Sequence, residues 1–108
     1  MRKIIDFWNI KPIYEIDEYG NVYNFYRNKK RKPFLSDDGY LSIVLYTNDN
    51  ERKNFRINRL VARAYYDEPE NADCIAEHLD NKPLNNYYKN IQWALILITK
   101  FGIAKLKV

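Results

Sequence analysis

His78 is the only histidine in this 108-residue chain. An imidazole with an ordinary pKa near ~6.5 can accept a proton at neutral pH, as a general base must. A lone histidine is just as readily a surface group or a satisfied core group, so its surroundings decide the reading. Glu77 stands directly before it, one of 14 acids in the chain. Asn81, Pro83, Asn85, Asn86 and Asn90 follow: asparagine carboxamides bond to nearby backbone, and together with the proline they shape an irregular loop. A second cluster lies far upstream, where Arg27, Lys29, Lys30, Arg31 and Lys32 put five cations into six positions before Pro33. Such a run makes a phosphate-binding finger or a groove-entering ribbon, or simply a solvated loop. Arg52, Lys53, Arg56, Arg59 and Arg63 carry the basic character onward. Tyr87, Tyr88 and Lys89 are placed to touch a phosphate near His78, or to pack at the edge of a core.

These groups need elements to hold them. Residues 13 to 26 read as two short strands around a Gly20-Asn21 turn, with Ile16, Val22, Tyr23 and Phe25 as β formers. After the basic loop, Asp37-Asp38-Gly39 marks a second turn. Leu41, Ile43 and Leu45 alternate in a strand from Tyr40 to Tyr46. Asn48-Asp49-Asn50 turns the chain again and Lys53 to Ile57 resumes the strand pattern. The period then changes: Ile57, Leu60, Val61, Ala64 and Tyr65 recur at helical spacing, and Asp67-Glu68-Pro69 ends the helix. Cys74 to Ala76 leads as a short strand into Glu77-His78, and Asn90-Ile91-Gln92-Trp93 is the returning strand. From Ala94 the apolar Leu95, Ile96, Ile98, Phe101 and Ile103 suit a helix or a strand equally.

Composition bounds the function classes. Hydrophobic residues make up 46% and aromatics 16%, enough for one modest core. A formal charge of +4 leans weakly toward a polyanionic partner. The single cysteine, Cys74, excludes an internal disulfide and multi-cysteine zinc sites. The first ten residues have no signal-peptide pattern, and the apolar run 91–98 is too short to span a bilayer. The expectation is a cytoplasmic protein without a membrane partner.

The run Ile57-Asn58-Arg59-Leu60-Val61-Ala62-Arg63-Ala64-Tyr65, then Pro69-Glu70, Glu77-His78-Leu79-Asp80, Asn85-Asn86 and Asn90-Ile91-Gln92-Trp93 is similar to the HNH homing endonucleases of phages and introns. Upstream, Trp8, Tyr14-Glu15-Ile16, Tyr19-Gly20-Asn21-Val22-Tyr23 and Asp38-Gly39-Tyr40-Leu41 resemble the β module that often precedes HNH. The resemblance spans residues 8 to 93. It implies an α+β fold: a small antiparallel β module over 1–56, then an HNH-like ββα module over 57–108, sharing one core. Trp8, Leu60, Val61 and Trp93 are the expected core residues. The resemblance also implies His78 as general base, Glu77 as ligand of a divalent metal (Mg or Mn), and Asn90 as a site residue that braces the loop behind His78. Asn85 and Asn86 fall to turn formation and Asp80 to capping the loop. Arg27, Lys29, Lys30, Arg31, Lys32, Arg59 and Arg63 are the candidate contacts to double-stranded DNA.

Two departures weaken the catalytic side of the resemblance. Asn58 stands where the family's helix usually opens with histidine. The helix-borne metal ligand expected two turns past Trp93 falls near Thr99, a poor ligand beside Lys100. Two functions therefore stand side by side. One is a metal-dependent DNA nickase with an impaired metal site. The other is a non-catalytic binding protein on the same scaffold, a phage regulator or an inhibitor of a host nuclease or defence factor.

Overall fold

A computed structural model of the chain describes residues 2–70 and 73–108. Met1, at the head of the N-terminal stretch read above, lies outside them. Among the described residues, three antiparallel sheets and one α-helix surround a single apolar cluster. The first sheet runs β1 (Lys3–Ile4), β2 (Tyr14–Ile16), β3 (Val22–Asn24) and β4 (Lys29–Lys30), in that spatial order. The turn between β2 and β3 needs its glycine twice over. Gly20 has φ +84°, and a Cβ there would come within 2.7 Å of Ile57 and 3.1 Å of Asn86. The Asp17 carboxylate organises the same turn, accepting from the backbone N–H groups of Tyr19 and Asn21 at 2.9 Å each.

The second sheet is β5 (Phe34–Leu35), β6 (Leu41–Tyr46) and β7 (Arg52–Arg56). In β6 the alternation holds where it matters, with Ile43 and Leu45 buried. Helix α1 (Ile57–Tyr65) follows β7 directly and buries Ile57, Asn58, Leu60, Val61 and Ala62 on one face. The Tyr66 N–H bonds to the Ala62 carbonyl, and the chain leaves in extended form ahead of Pro69.

The third sheet positions the histidine. Strand β8 (Cys74–His78) pairs with β9 (Ile91–Thr99) in the register Ala76 to Trp93, Glu77 to Gln92 and His78 to Ile91. Strand β10 (Gly102–Lys107) lies on the far side of β9, so β8 is an edge. The α+β class holds, but the element after Trp93 is strand, not the helix of a ββα unit. Residues 94–99 continue β9 and fold back through Lys100-Phe101 onto β10, with Gly102 at φ +122°. The β-branched Ile96, Ile98 and Ile103 suit a ladder. Thr99 is thereby carried to the hairpin tip, where its Oγ1 donates to the Gly102 carbonyl at 3.0 Å. It is no helix-borne ligand.

The core joins the segments before and after residue 56: Ile5, Tyr14, Ile16 and Val22 belong to the same cluster as Leu60, Val61, Ile91 and Trp93. Leu60, Val61 and Trp93 are buried as expected. Trp8 is only half-buried, because its ring stacks on Phe55 while its Nε1 donates to Glu68 at 2.9 Å. Among the described residues no helix is long and apolar enough to cross a membrane.

Candidate functional site

Consecutive strand residues project to opposite faces. In β8 this puts Cys74, Ala76 and His78 on the buried side, with Ile75 and Glu77 on the more open one. Because β8 is an edge, both Glu77 and His78 still reach one cleft of about 290 Å³, shared with Asp38, Tyr40, Asn81, Pro83 and Lys105. His78 is buried, and the Tyr40 ring lies 5.9 Å from its own. Its Nε2 lies 2.8 Å from Oδ1 of the buried Asn86. A carboxamide oxygen only accepts, so Nε2 carries the hydrogen, and in the neutral ring Nδ1 keeps the lone pair. Asn86 therefore selects the tautomer as well as the ring orientation. It is fixed in turn by its neighbours: its Cβ packs against Gly20, the Tyr88 N–H bonds to the Glu18 carbonyl at 2.8 Å, and Tyr87 stacks on Tyr19. The β2–β3 turn thus backs the histidine from behind.

The asparagine-rich loop is closed by Asn90. Its Nδ2 donates to Asp80 Oδ1 and to the Asn85 carbonyl, both at 2.9 Å, and its Oδ1 accepts from the Asp80 N–H at 3.1 Å. Bonds from Asn85 and Asn90, together with the Lys82 N–H, pull the Asp80 carboxyl down to about 2. Asn58 joins helix to sheet, its Nδ2 donating to the Ala76 carbonyl at 2.9 Å. A residue noticed in the sequence only as a departure thus pins the strand that carries Glu77 and His78.

Glu77 is not free. Its Oε1 accepts from Lys105 Nζ at 2.6 Å and its Oε2 from Gln92 Nε2 at 3.2 Å. The bond from Lys105, then that from Gln92, holds its carboxyl below the ordinary value. The other carboxylate on the cleft, Asp38, is ion-paired with Arg56, whose guanidinium also covers the Tyr40 ring. Among the described residues no group of three or more His, Cys, Asp or Glu side chains comes together. The residues present therefore do not fit a bound divalent ion: one carboxylate is available and an ammonium already holds it. Lys105 escaped the sequence reading, since nothing in its local pattern ties it to a residue 28 positions earlier.

The basic cluster lies on a different surface. Arg27 is in the turn after β3, while Lys29 and Lys30 form β4, so the run is a short ribbon and not a loose loop. Arg27, Lys29, Lys30 and Lys32 are exposed and flank a cleft of about 490 Å³ with Asn24, Tyr26 and Tyr46. Arg31 turns inward, donating Nη2 to the Val44 carbonyl at 3.0 Å. Arg59 lies over the rings of Trp8 and Trp93, at 5.7 and 5.5 Å from their centroids. Arg63 pairs with Glu68 at 3.4 Å and covers Phe7. These three arginines already have partners within the fold.

No protein-family model matches the chain. It is 39% identical over 80 residues to a protein of Acanthamoeba polyphaga mimivirus named an uncharacterized HNH endonuclease, a match covering 74% of this chain and 24% of that protein. It is 32% identical over 79 residues to a protein of Bacillus subtilis (strain 168) named as an SPbeta prophage-derived HNH homing endonuclease, covering 71% of this chain and 44% of that one. A solved structure concerned with DNA binding and cleavage by the HNH homing endonuclease I-HmuI is similar at TM-score 0.76 and 27% identity, over 88% of this chain and 52% of that one. The chain spans less than half the length of these curated relatives and about half of the solved structure.

Proposed function

Because this chain belongs to the HNH endonuclease family, we propose that it is a double-stranded-DNA-binding protein whose nuclease centre keeps its general base but has an impaired metal side. The observation that carries the reading is the pairing of two surfaces. One is a ribbon of exposed cations at Arg27, Lys29, Lys30 and Lys32, none of them in an ion pair among the described residues. The other is a histidine held in one tautomer beside a carboxylate that lacks co-ligands. The chain divides by role near residue 56, the β module before it binding phosphates and the HNH-like module after it carrying the site.

The ribbon attracts the phosphate backbone without reading its sequence, so the affinity it confers depends on salt and not on base identity. Arg31, Arg59 and Arg63 support that surface from beneath and add little direct contact, because their guanidinium groups already serve the fold. At the edge of β8, Nδ1 of His78 is the atom that would take a proton from an attacking water. Asn90 keeps the loop behind it closed. One His78 per chain gives one strand cut per binding event, so the product of any cleavage is a nick. With Glu77 held by Lys105, cleavage is feeble or absent. This favours the second reading, a binding protein on a nuclease scaffold. Incubating supercoiled plasmid with the protein in Mg²⁺ or Mn²⁺, beside a binding titration on the same DNA, tests both halves. Tight, salt-dependent binding with almost no relaxed circle is the expected result. Robust nicking at low millimolar Mg²⁺ refutes the impairment, and the absence of binding refutes the reading as a whole.

A further inference from the structure

We infer that Lys105, on the β9–β10 hairpin, is the resident counter-ion of Glu77 and occupies the cation position of this site in place of a metal. The inference rests on the family reading of Glu77 as the metal-side carboxylate. Both oxygens of that carboxylate are engaged, Oε1 by the Lys105 ammonium at 2.6 Å and Oε2 by Gln92 at 3.2 Å. Lys105 is delivered by a strand paired to β9 from Gly102 to Lys107, so its stem starts from a fixed place on the sheet. The register also puts it on the correct side. Lys105 pairs with Ile96, and Ile96, Ala94 and Gln92 alternate on the face from which Glu77 also projects.

A half-exposed ion pair of this kind is weak, yet it need not be strong to prevail. Its competitor is a divalent cation that would have one carboxylate as its sole anionic protein ligand. Hard cations want several oxygens and are held poorly by one. The second acid on the cleft, Asp38, cannot assist because Arg56 holds it. A tethered ammonium therefore excludes a free divalent ion at ordinary concentrations. The strand β10 that replaces the expected helix does more than omit a ligand: it brings a competing cation.

The test reads metal uptake by the 108-residue chain free of DNA, so its outcome is separate from whether the protein binds or cuts DNA. Free Mn²⁺ is followed by electron paramagnetic resonance, and folding of each variant is checked by its unfolding midpoint. Wild type takes up no Mn²⁺ that depends on Glu77. Lys105→Glu sets a second carboxylate against the first and tightens Mn²⁺ binding by at least about tenfold. Adding Glu77→Gln to that variant abolishes the gain. Lys105→Gln, which removes the charge without adding one, gives a smaller rise in the same direction and serves if the charge reversal unfolds the hairpin. Mn²⁺ uptake by wild type that Glu77→Gln removes would overturn the inference. So would folded Lys105 variants that bind Mn²⁺ no better than wild type.

Discussion

The ribbon formed by β3 and β4 and the edge of β8 handle charge in opposite ways. On the ribbon, Arg27, Lys29, Lys30 and Lys32 are exposed, and among the described residues none of them forms an ion pair. At the edge of β8 each charged group is matched from within the chain: Glu77 by Lys105, Asp38 by Arg56, and Asp80 by the amides of Asn85 and Asn90. Unmatched charge keeps its attraction for a partner, screened only by salt. Matched charge becomes part of the fold and offers little to a ligand. On the function proposed above, the first region meets a polyanion, while the second has its geometry set and its charges already matched.

The largest effect should come from the core that both regions share. Trp93 is 4% exposed and belongs to the cluster that also holds Tyr14 and Val22. Trp93→Ala should cost about 3–5 kcal/mol, a large fraction of a typical ~5–15 kcal/mol. Denaturant unfolding measures it. Because the core is common, tyrosine fluorescence and DNA binding should be lost at the same denaturant concentration. A loss under about 1 kcal/mol would mean that the ring is not a core residue.

Next in size is the ribbon. Replacing Arg27, Lys29, Lys30 and Lys32 with Ala should weaken binding to all DNA sequences alike. It should also flatten the plot of log K against log salt by up to ~0.9 unit for each contact removed. An unchanged slope would erase the contrast between the two regions. Arg31→Ala should behave differently, lowering stability through the lost bond to Val44 with little change in slope.

A smaller effect probes the edge of β8. His78→Ala should remove any residual nicking and leave DNA affinity nearly intact. As the only imidazole in the chain, His78 gives unambiguous ¹⁵N signals. With the ring neutral, wild type should show the Nε2–H form, and Asn86→Ala should show a mixture of tautomers. An unaltered tautomer in that variant would mean Asn86 does not select it.

The smallest expected effect is a dependence on acid. The folded Asp80 carboxyl sits at about 2, below its ordinary 3.8, so it favours the folded state above pH 4. That contribution should fade as the pH falls from about 4 toward 2. Unfolding midpoints across this range should drop less steeply in Asn90→Ala, which removes one of the bonds responsible.

Much of this could be read locally. Gly20-Asn21 announced a turn, the alternation at Ile43 and Leu45 a strand, and the spacing of Ile57, Leu60, Val61 and Ala64 a helix. Each depends on neighbours within a few residues, and each is where it was expected. The stretch after Trp93 could not be read this way, since a continuous apolar run satisfies helix and strand alike. The choice fell to pairing with β9.

The side-chain chemistry divides along the same line. One imidazole, one carboxylate beside it, an asparagine-rich loop behind it and a basic run upstream are matters of composition and short spacing, and so are legible in the chain before it folds. What those groups face depends on contacts between distant segments. Asn86 turned from loop-former to histidine partner because the β2–β3 turn presses it toward β8. Arg31, Arg59 and Arg63 are half-buried, drawn to a carbonyl, two indole rings and a carboxylate respectively. Glu77 acquired Lys105 through a hairpin that no nearby residue foretells. Charge and hydrogen-bonding capacity are properties of a residue, but their satisfaction is a property of distance. The distances here are set by strand register and shared packing across the whole chain.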